Sequence, residues 1–355
     1  MLSSFLLYGA NGYLGAQIAR LAVQHGLKPQ LAGRNKAALT TLGEALNLNV
    51  TVVPLDNTRL LEQSLKKTAF VFNCAGPFQS TAQPLVTACL NTQTHYLDIT
   101  GELSVFETLL GYDQAAKKNK VMLLPGAGFD VAATDCLALY LSTKIEQPTH
   151  LTLAFESQGP ATLPPGTQRT AIELLACGER IRFQGQLIEP EHRFKQKTID
   201  LGCGPKPCLR ITWGDAITAF HSTQIPTIEN YLSLPVRQQQ LVRLSHYASP
   251  LFQFSPVRQL AKKLLVTPPP IREDCQNTQT LVWGEVKNQQ GERFRAQLKG
   301  PEAGSLWTAD IALQMIKKAL AGDTKSGFQT PATAYGADFI IENPAVRRTD
   351  LSHSV

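Results

Sequence analysis

Residues 8–15 read YGANGYLG, three glycines at intervals of three directly after the apolar run Phe5-Leu6-Leu7. Glycines so spaced permit a tight turn, close approach of backbone to a pyrophosphate, and close packing of a helix on a strand. Gly12 and Gly15 occupy the second and third of these roles, Ala10 stands at the usual first glycine, and Gly9 lies one residue earlier. A helix beginning near Tyr13 and Leu14 would point its N–H groups and positive dipole end at phosphates lying over Asn11 and its neighbours. The chemistry implied is dinucleotide binding. The plain alternative is a turn between a strand and a helix.

Which dinucleotide is read from the next loop. Sites for NAD usually carry Asp or Glu at the end of the second strand, holding the ribose 2′-hydroxyl. This chain has LAGRNK there, with no acid between Gly15 and Glu44. Arg34 and Asn35 suit the 2′-phosphate of NADP, and the guanidinium can stack on adenine; otherwise Arg34 is a solvated loop charge. Asp56 could hold the adenine amino group or, with Asn57, simply form a turn. FNCAGPF (72–78) ends the fourth apolar run. Its Ala75 and Gly76, between Cys74 and Pro77-Phe78, would let a cofactor lie against bare backbone, while Pro77 stops direct helical continuation.

Three further stretches offer catalytic or substrate groups. HYLDITGE (95–102) sets Asp98, Thr100 and Glu102 at alternate positions, thus on one face of an extended segment. Asp98 could orient a substrate amine, Thr100 could bind a carbonyl and Glu102 could contact substrate; equally, Asp98 and Thr100 could cap the next helix with Glu102 in its first turn. In LPGAGFDVAATD (124–135), Asp130 and Asp135 bracket a helix start and are expected to face a cleft between domains, although capping accounts for at least one. PPGTQRTAIE (164–173) opens a helix with Thr167, Gln168 and Arg169, whose N-terminus could receive an anionic substrate group, with Thr167 as N-cap the alternative.

Other chemistries lack their parts. Tyr140 and Lys144 form the Y-x-x-x-K pair of short-chain dehydrogenases, but the upstream serine is missing from PGAGFD. Tyr140 therefore reads as a packed tyrosine, in phase with Cys136 and Leu137, and Lys144 as a helix-end charge. Cys203 and Cys208 have no second pair or nearby His to complete a metal site, so no metal is expected. There is no Ser-His-Asp order and no phosphate-loop lysine, and His221 reads as structural.

These residues need a scaffold. Strand-like runs at Ser4–Tyr8, Gln30–Ala32, Thr51–Pro54, Phe70–Cys74, Tyr96–Ile99 and Val121–Leu124 alternate with helical patterns at Leu14–His25, Lys36–Leu46, Thr58–Lys66, Pro84–Thr92 and Val105–Asn119. Such alternation implies a parallel sheet covered on both faces. Beyond Gly128 the strands follow one another: Leu151–Ser157, Ile181–Ile188, Cys208–Trp213, Ala219–Thr223, Thr280–Val286 and Phe294–Leu298. Helical patterns there are Thr167–Cys177, the basic stretch 235–265 and Leu306–Leu320, which together imply an α+β domain. The 355 residues suit two domains.

Hydrophobic residues make up 43% and charged residues 17%, with no apolar run long enough to span a membrane and no signal-like N-terminus. A cytoplasmic protein is expected, and seven scattered cysteines fit a reducing compartment. Between Glu229 and Glu273 there is no acid, while Arg237, Arg243, Arg258, Lys262, Lys263 and Arg272 account for the net charge of +6. Leucines and Phe252 and Phe254 are interspersed there. The alternatives are a solvated face beside a dimer contact, a weak contact of 230–272 with anionic membrane (the protein then peripheral at its surface), or docking of an acyl carrier protein. Nucleic acid is not expected, because aromatic and basic residues do not interleave on a strand platform.

YGANGYLG, LAGRN, NCAGPF, THYLDITGE, LPGAGFDVAATDC, PPGTQRTAIE, WGDAITAFHSTQIPTIENY and GFQTPATAYG together resemble the saccharopine dehydrogenase-like oxidoreductases, including the trans-acting enoyl reductases. The resemblance runs along almost the whole chain. It implies an α/β fold, with a Rossmann-type parallel sheet in an NADP-binding domain (1–128) and a second α+β domain with a mixed sheet (129–303) for substrate and homodimer contact. A C-terminal helix and segment (304–345) would pack back toward the first domain. It further implies hydride transfer from NADPH to a C=C or C=N bond of a small-molecule or acyl substrate; a nucleotide-bound scaffold without turnover is the alternative. Ala132-Ala133-Thr134 replaces the proline-serine step that related sequences tend to place before the acid, here Asp135, and no clustered arginines match the carboxylates of saccharopine.

Overall fold

The computed structural model describes residues 4–160, 163–202, 204–236, 239, 240, 242, 254–270 and 272–354. Cys203, Arg237, Arg243, Tyr247 and Phe252 lie outside them. The chain divides into two units, Met1–Ala132 with Ser305–Tyr335 and Ala133–Gly304 with Gly336–Val355.

In the first unit β1 (Leu6–Tyr8), α1 (Tyr13–Gln24), β2 (Gln30–Gly33), α2 (Lys36–Leu46), β3 (Val50–Val52), α3 (Thr58–Leu65), β4 (Phe70–Asn73), α4 (Phe78–Thr92) and β5 (His95–Asp98) alternate strictly. Helices α5 (Leu103–Gly111) and α6 (Asp113–Asn119), β6 (Met122–Leu124) and α7 (Phe129–Ser142) follow, and the division between units falls inside α7. With Gly327–Phe328 at one edge, the strands form a seven-stranded sheet in the order (327–328)-β6-β5-β4-β1-β2-β3, and every pairing is parallel. Leu6, Leu7, Phe70, Val71 and Phe72 are fully buried, the run of apolar residues that a strand covered on both faces requires. Chain order reverses between β1 and β4. Their carboxyl ends therefore flank the crevice where open parallel sheets bind ligands.

Helix starts follow local side-chain chemistry. Asn35 Oδ1 accepts from Ala38 N at 3.2 Å to cap α2, and Asn57 Oδ1 accepts from Leu60 N at 3.0 Å to cap α3. Two sequence expectations need correction here. The helix expected over Val105–Asn119 is two helices, broken at Tyr112, whose backbone (φ −89°, ψ 1°) leaves the helical path. The helix expected from Pro84 starts earlier, at Phe78, with Pro77 as its N-cap residue.

The second unit holds β7 (His150–Gln158), α8 (Pro165–Cys177), β8 (Ile181–Phe183), β9 (Gln186–Ile188), β10 (Gln196–Asp200), β11 (Pro205–Ile211), α9 (Thr218–Thr223), β12 (Thr227–Ser233), α10 (Ser255–Leu265), α11 (Arg272–Gln276), β13 (Gln279–Lys287) and β14 (Arg293–Gly300). The order β10-β11-β12-β7-β13-β14 is closed by Arg347–Ser354, and β12–β7 is its one parallel pair, so the sheet is mixed. The single strand expected over Ile181–Ile188 is a hairpin. Gln184 and Gly185, at φ 48° and 79°, form a two-residue turn of the kind that matches strand twist.

The strand expected at Ala219–Thr223 is helix α9. His221 N donates to Ile217 O and Gln224 N to Phe220 O, each at 2.9 Å, and the Thr223 hydroxyl folds back onto Ala219 O.

Beneath β11 and β12, the Arg210 guanidinium is 5% exposed and meets Glu179 at 2.6 Å and Glu229 at 2.7 Å. Removing the cation alone would strand two carboxylates in a poorly solvated place. Arg210→Met is expected to lower the unfolding free energy in urea by about 3–5 kcal/mol, the usual cost of breaking a buried ion pair from one side. A loss below about 1 kcal/mol would show that water reaches the triad.

Candidate functional site

The crevice between β1 and β4 is shaped by missing side chains. A Cβ added at Gly9, whose φ is +75°, would lie 2.7 Å from Ala75 N; one at Gly15 would lie 2.4 Å from Gly9 O. Both obstacles are backbone, which cannot swing away. Gly9 N donates to Ala32 O at 2.8 Å and Cys74 N to Tyr8 O at 2.8 Å, so the 9–12 and 74–77 loops extend the sheet ladder and meet at its end.

Helix α1 starts at this edge with no side-chain cap. α2 and α3 are capped by asparagines. On α4, Phe78 N and Gln79 N donate to the Glu102 carboxylate at 3.0 and 2.9 Å. The N-cap of α1 is Gly12, with no side chain, and its first turn contains no acid. First-turn N–H groups lack intrahelical acceptors, and the helix dipole favours an anion beside them. A pyrophosphate fits this cradle, with Ala10 buried beneath it and Asn11, Gly12, Tyr13 and Leu14 along its mouth.

Arg34 follows β2 and is exposed, as is Asp56 beyond β3. Asn35 has its carbonyl committed to capping α2. Tyr8, which sequence reasoning passed over, donates its hydroxyl to Val53 O at 2.9 Å and ties the ends of β1 and β3 together. Burial pushes its phenol upward, and the charge of Arg34 works against that shift.

The residues of 95–102 are folded inward. Asp98 is fully buried; its Oδ2 accepts from Tyr96 OH at 2.7 Å, and its Oδ1 accepts from Thr100 N at 2.9 Å and Gly126 N at 3.1 Å. Asn73 Nδ2 donates to Tyr96 OH at 3.1 Å and to Thr81 Oγ1 at 3.2 Å, and Asn73 Oδ1 accepts from Ala75 N at 2.9 Å. Thr100, also buried, accepts from Glu102 N at 3.1 Å through its hydroxyl. This network ties the loops after β4, β5 and β6 to one another. The polar groups of Asp98, Thr100 and Glu102 thus hold these loops and the start of α4 in place. Burial pushes the Asp98 carboxyl up to about 7 against those three hydrogen bonds, and burial followed by the nearby Asp98 raises the Cys74 thiol.

Asp130 is different. It lies in the first turn of α7, and its Oδ2 is 3.1 Å from where a Cβ on Gly101 would sit, so the bare Gly101 backbone makes room for the carboxylate. It keeps partial exposure, and burial pushes it up to about 6. Phe129 beside it packs on Trp307 with ring centroids 5.0 Å apart, and Phe129 N donates to Thr308 Oγ1 at 3.3 Å.

The remaining expected residues belong to the second unit. Asp135 is buried and accepts from Ser222 Oγ at 2.7 Å. Thr167 is not an N-cap: Pro164 holds that position, and α8 begins with Pro165. Gln168 donates to Leu163 O at 2.6 Å and to Thr267 Oγ1 at 2.9 Å, and accepts from Thr267 N at 2.7 Å. Tyr140 donates to Asp350 at 2.8 Å, with Lys144 Nζ over its ring at 4.2 Å. A cleft of about 770 Å³ in this unit runs along residues 190–196 and Arg210, and none of the expected site residues lines it. Among the described residues no His, Cys, Asp and Glu cluster could hold a metal ion.

Comparison with known proteins agrees with this geometry. Residues 5–124 match the saccharopine dehydrogenase NADP binding domain. A human saccharopine dehydrogenase-like oxidoreductase is 23% identical over 95% of this chain and 94% of its own length. A trans-acting enoyl reductase from Mycobacterium leprae is 32% identical over 37% of this chain and 33% of its own. The fold is shared with apo saccharopine dehydrogenase (L-Glu forming) from Saccharomyces cerevisiae, at a TM-score of 0.64 and 11% identity over 98% of this chain and all of that one.

The Asp98 network makes a pH-dependent prediction. A carboxyl at 3.8 in the unfolded chain and about 7 in the folded one takes up protons on folding between those values, so its contribution to stability falls as pH rises from about 4 to 7. Asp98→Asn is expected to melt with a shallower decline over that window than the parent protein. Parallel melting curves at every pH would contradict the burial of an ionisable group there.

Proposed function

We propose, for a chain that carries a saccharopine dehydrogenase NADP binding domain and resembles saccharopine dehydrogenase-like oxidoreductases along nearly its whole length, an NADPH-dependent reductase of a C=C or C=N bond in a small-molecule or acyl substrate. The observation that carries this reading is the Gly9–Gly15 cradle, where two backbone contacts exclude any Cβ and the start of α1 has no side-chain cap. Gly12 to Gly15 would hold the pyrophosphate on the N-terminus of α1. Arg34 would grip the 2′-phosphate, and 74–78 would support the cofactor along bare backbone. When bound, NADPH supplies a hydride; the protein's part is to bring an acceptor to it, exclude water and manage one proton.

Asp130 is the residue we assign to that proton. A carboxyl near 6 is divided between its two forms at working pH, which suits a group that gives a proton in reduction and takes one in the reverse direction. Asp98 acts through Thr100 and Gly126 as a positioning residue, because both its oxygens are committed.

Two measurements test the reading. In titrations, NADPH is expected to bind at least about tenfold more tightly than NADH, and Arg34→Ala to weaken NADPH by about 10- to 100-fold while leaving NADH unchanged, as loss of a charge-assisted hydrogen bond requires. Equal binding of both nucleotides, unmoved by the substitution, would remove NADP from the proposal. With any reducible substrate, kcat/KM should fall as pH rises through about 6. Asp130→Asn should abolish that limb and lower kcat by about 10²- to 10⁴-fold; an unchanged profile would assign the proton elsewhere.

A further inference from the structure

Helix α10 (Ser255–Leu265) carries a surface that hydride transfer does not use. Four of the nine exposed large apolar side chains among the described residues fall within Phe254–Leu265: Phe254 at 64%, Leu260 at 56%, Leu264 at 73% and Leu265 at 61%. Leu260 and Leu264 are one helical turn apart and form a stripe with Val257 and Ala261, while Arg258, Lys262 and Lys263 lie to its other side. Gln168 joins Leu163 O and Thr267 Oγ1, which brings Leu163, itself 55% exposed, to the same side of this unit. An apolar stripe of this size is ordinarily buried in a soluble domain.

The charge around the stripe decides what would cover it. No acid occurs from residue 230 to residue 272, and six basic residues do. In a symmetric contact with a second copy, the same basic patch would face itself, and like charges would repel. An anionic lipid surface offers the opposite sign together with an apolar layer just beneath it, the combination that an interfacial helix exploits. Helix α10 has 11 residues, too few to cross a bilayer, so the geometry is that of a helix lying on a surface.

We propose that α10 is a docking surface for anionic membrane, with Leu260 and Leu264 entering the boundary between headgroups and acyl chains and Lys262 and Lys263 held at the lipid phosphates. It would bring the oxidoreductase to an apolar, bilayer-dissolved substrate, but the docking itself rests only on α10 and stands or falls without that reading.

The test is co-sedimentation of the full chain with phosphatidylcholine vesicles, with and without roughly one-third phosphatidylglycerol. Anionic vesicles should bind at least about tenfold more protein than neutral ones, and binding should weaken in half-molar salt, where charge attraction is screened beyond about 4 Å. Leu260→Ser with Leu264→Ser should reduce binding at least about tenfold. Lys262→Glu with Lys263→Glu should remove the difference between the two lipids. Unchanged melting temperature and NADPH affinity would show that these variants remain folded. Should the serine variant unfold, Leu264→Trp serves instead: its fluorescence should shift to the blue on anionic vesicles. The proposal is overturned if the parent protein ignores anionic lipid, if the serine variant binds like the parent, or if tryptophan emission does not move. It is also overturned if the chain is a dimer that the serine variant splits, since the stripe then belongs to a second copy.

Discussion

A methyl group at position 9 would press on the backbone of Ala75, and one at position 15 on the carbonyl of Gly9, at separations that real Cβ atoms do not show. These two contacts bring the loop after β1 against the loop after β4, and they draw the start of α1 down onto the sheet. They are made where the strand order reverses, so the notch between β1 and β4 is walled by bare backbone. The rest of the first unit can be understood as holding that notch open. Tyr8 ties β1 to β3 on one side, and the Asn73–Tyr96–Asp98 chain ties β4 to β5 and to Gly126 on the other.

The acids near the notch divide by what surrounds them. Asp98 and Glu102 each satisfy backbone N–H groups, Asp98 those of Thr100 and Gly126, Glu102 those of Phe78 and Gln79. Glu102 therefore places its carboxylate on the start of α4. Asp130 lies against the bare backbone of Gly101, keeps some exposure and is pushed up by burial.

Much of this is legible in the sequence, for definable reasons. The helix Lys36–Leu46 and the strand phases of the first unit can be read because apolar periodicity and the Asn caps are local signals. The NADP binding domain is legible because YGANGYLG and LAGRN carry their chemistry within a few residues. What sequence spacing hides is partnership at a distance. Glu102 reads as a substrate or first-turn residue because the helix it serves begins 24 residues earlier. Asp98 reads as catalytic because nothing local says that Tyr96 and Gly126 will occupy its oxygens. The polar Asn73 and Tyr96 inside otherwise apolar strands were the available hint, since a buried polar group must find partners. Ala219–Thr223 misleads in the opposite way: the helix Thr218–Thr223 is only 6 residues long, too short to show a helical period.

The central claim is that the Gly9–Gly15 notch, and no other feature, receives the dinucleotide. A crystal structure of the chain grown with NADPH tests it most directly. The account predicts pyrophosphate density on the N-terminus of α1 over Gly12 and Gly15, with the 2′-phosphate against Arg34. Dinucleotide density bound elsewhere, or a 2′-phosphate turned away from Arg34 into solvent, would contradict it.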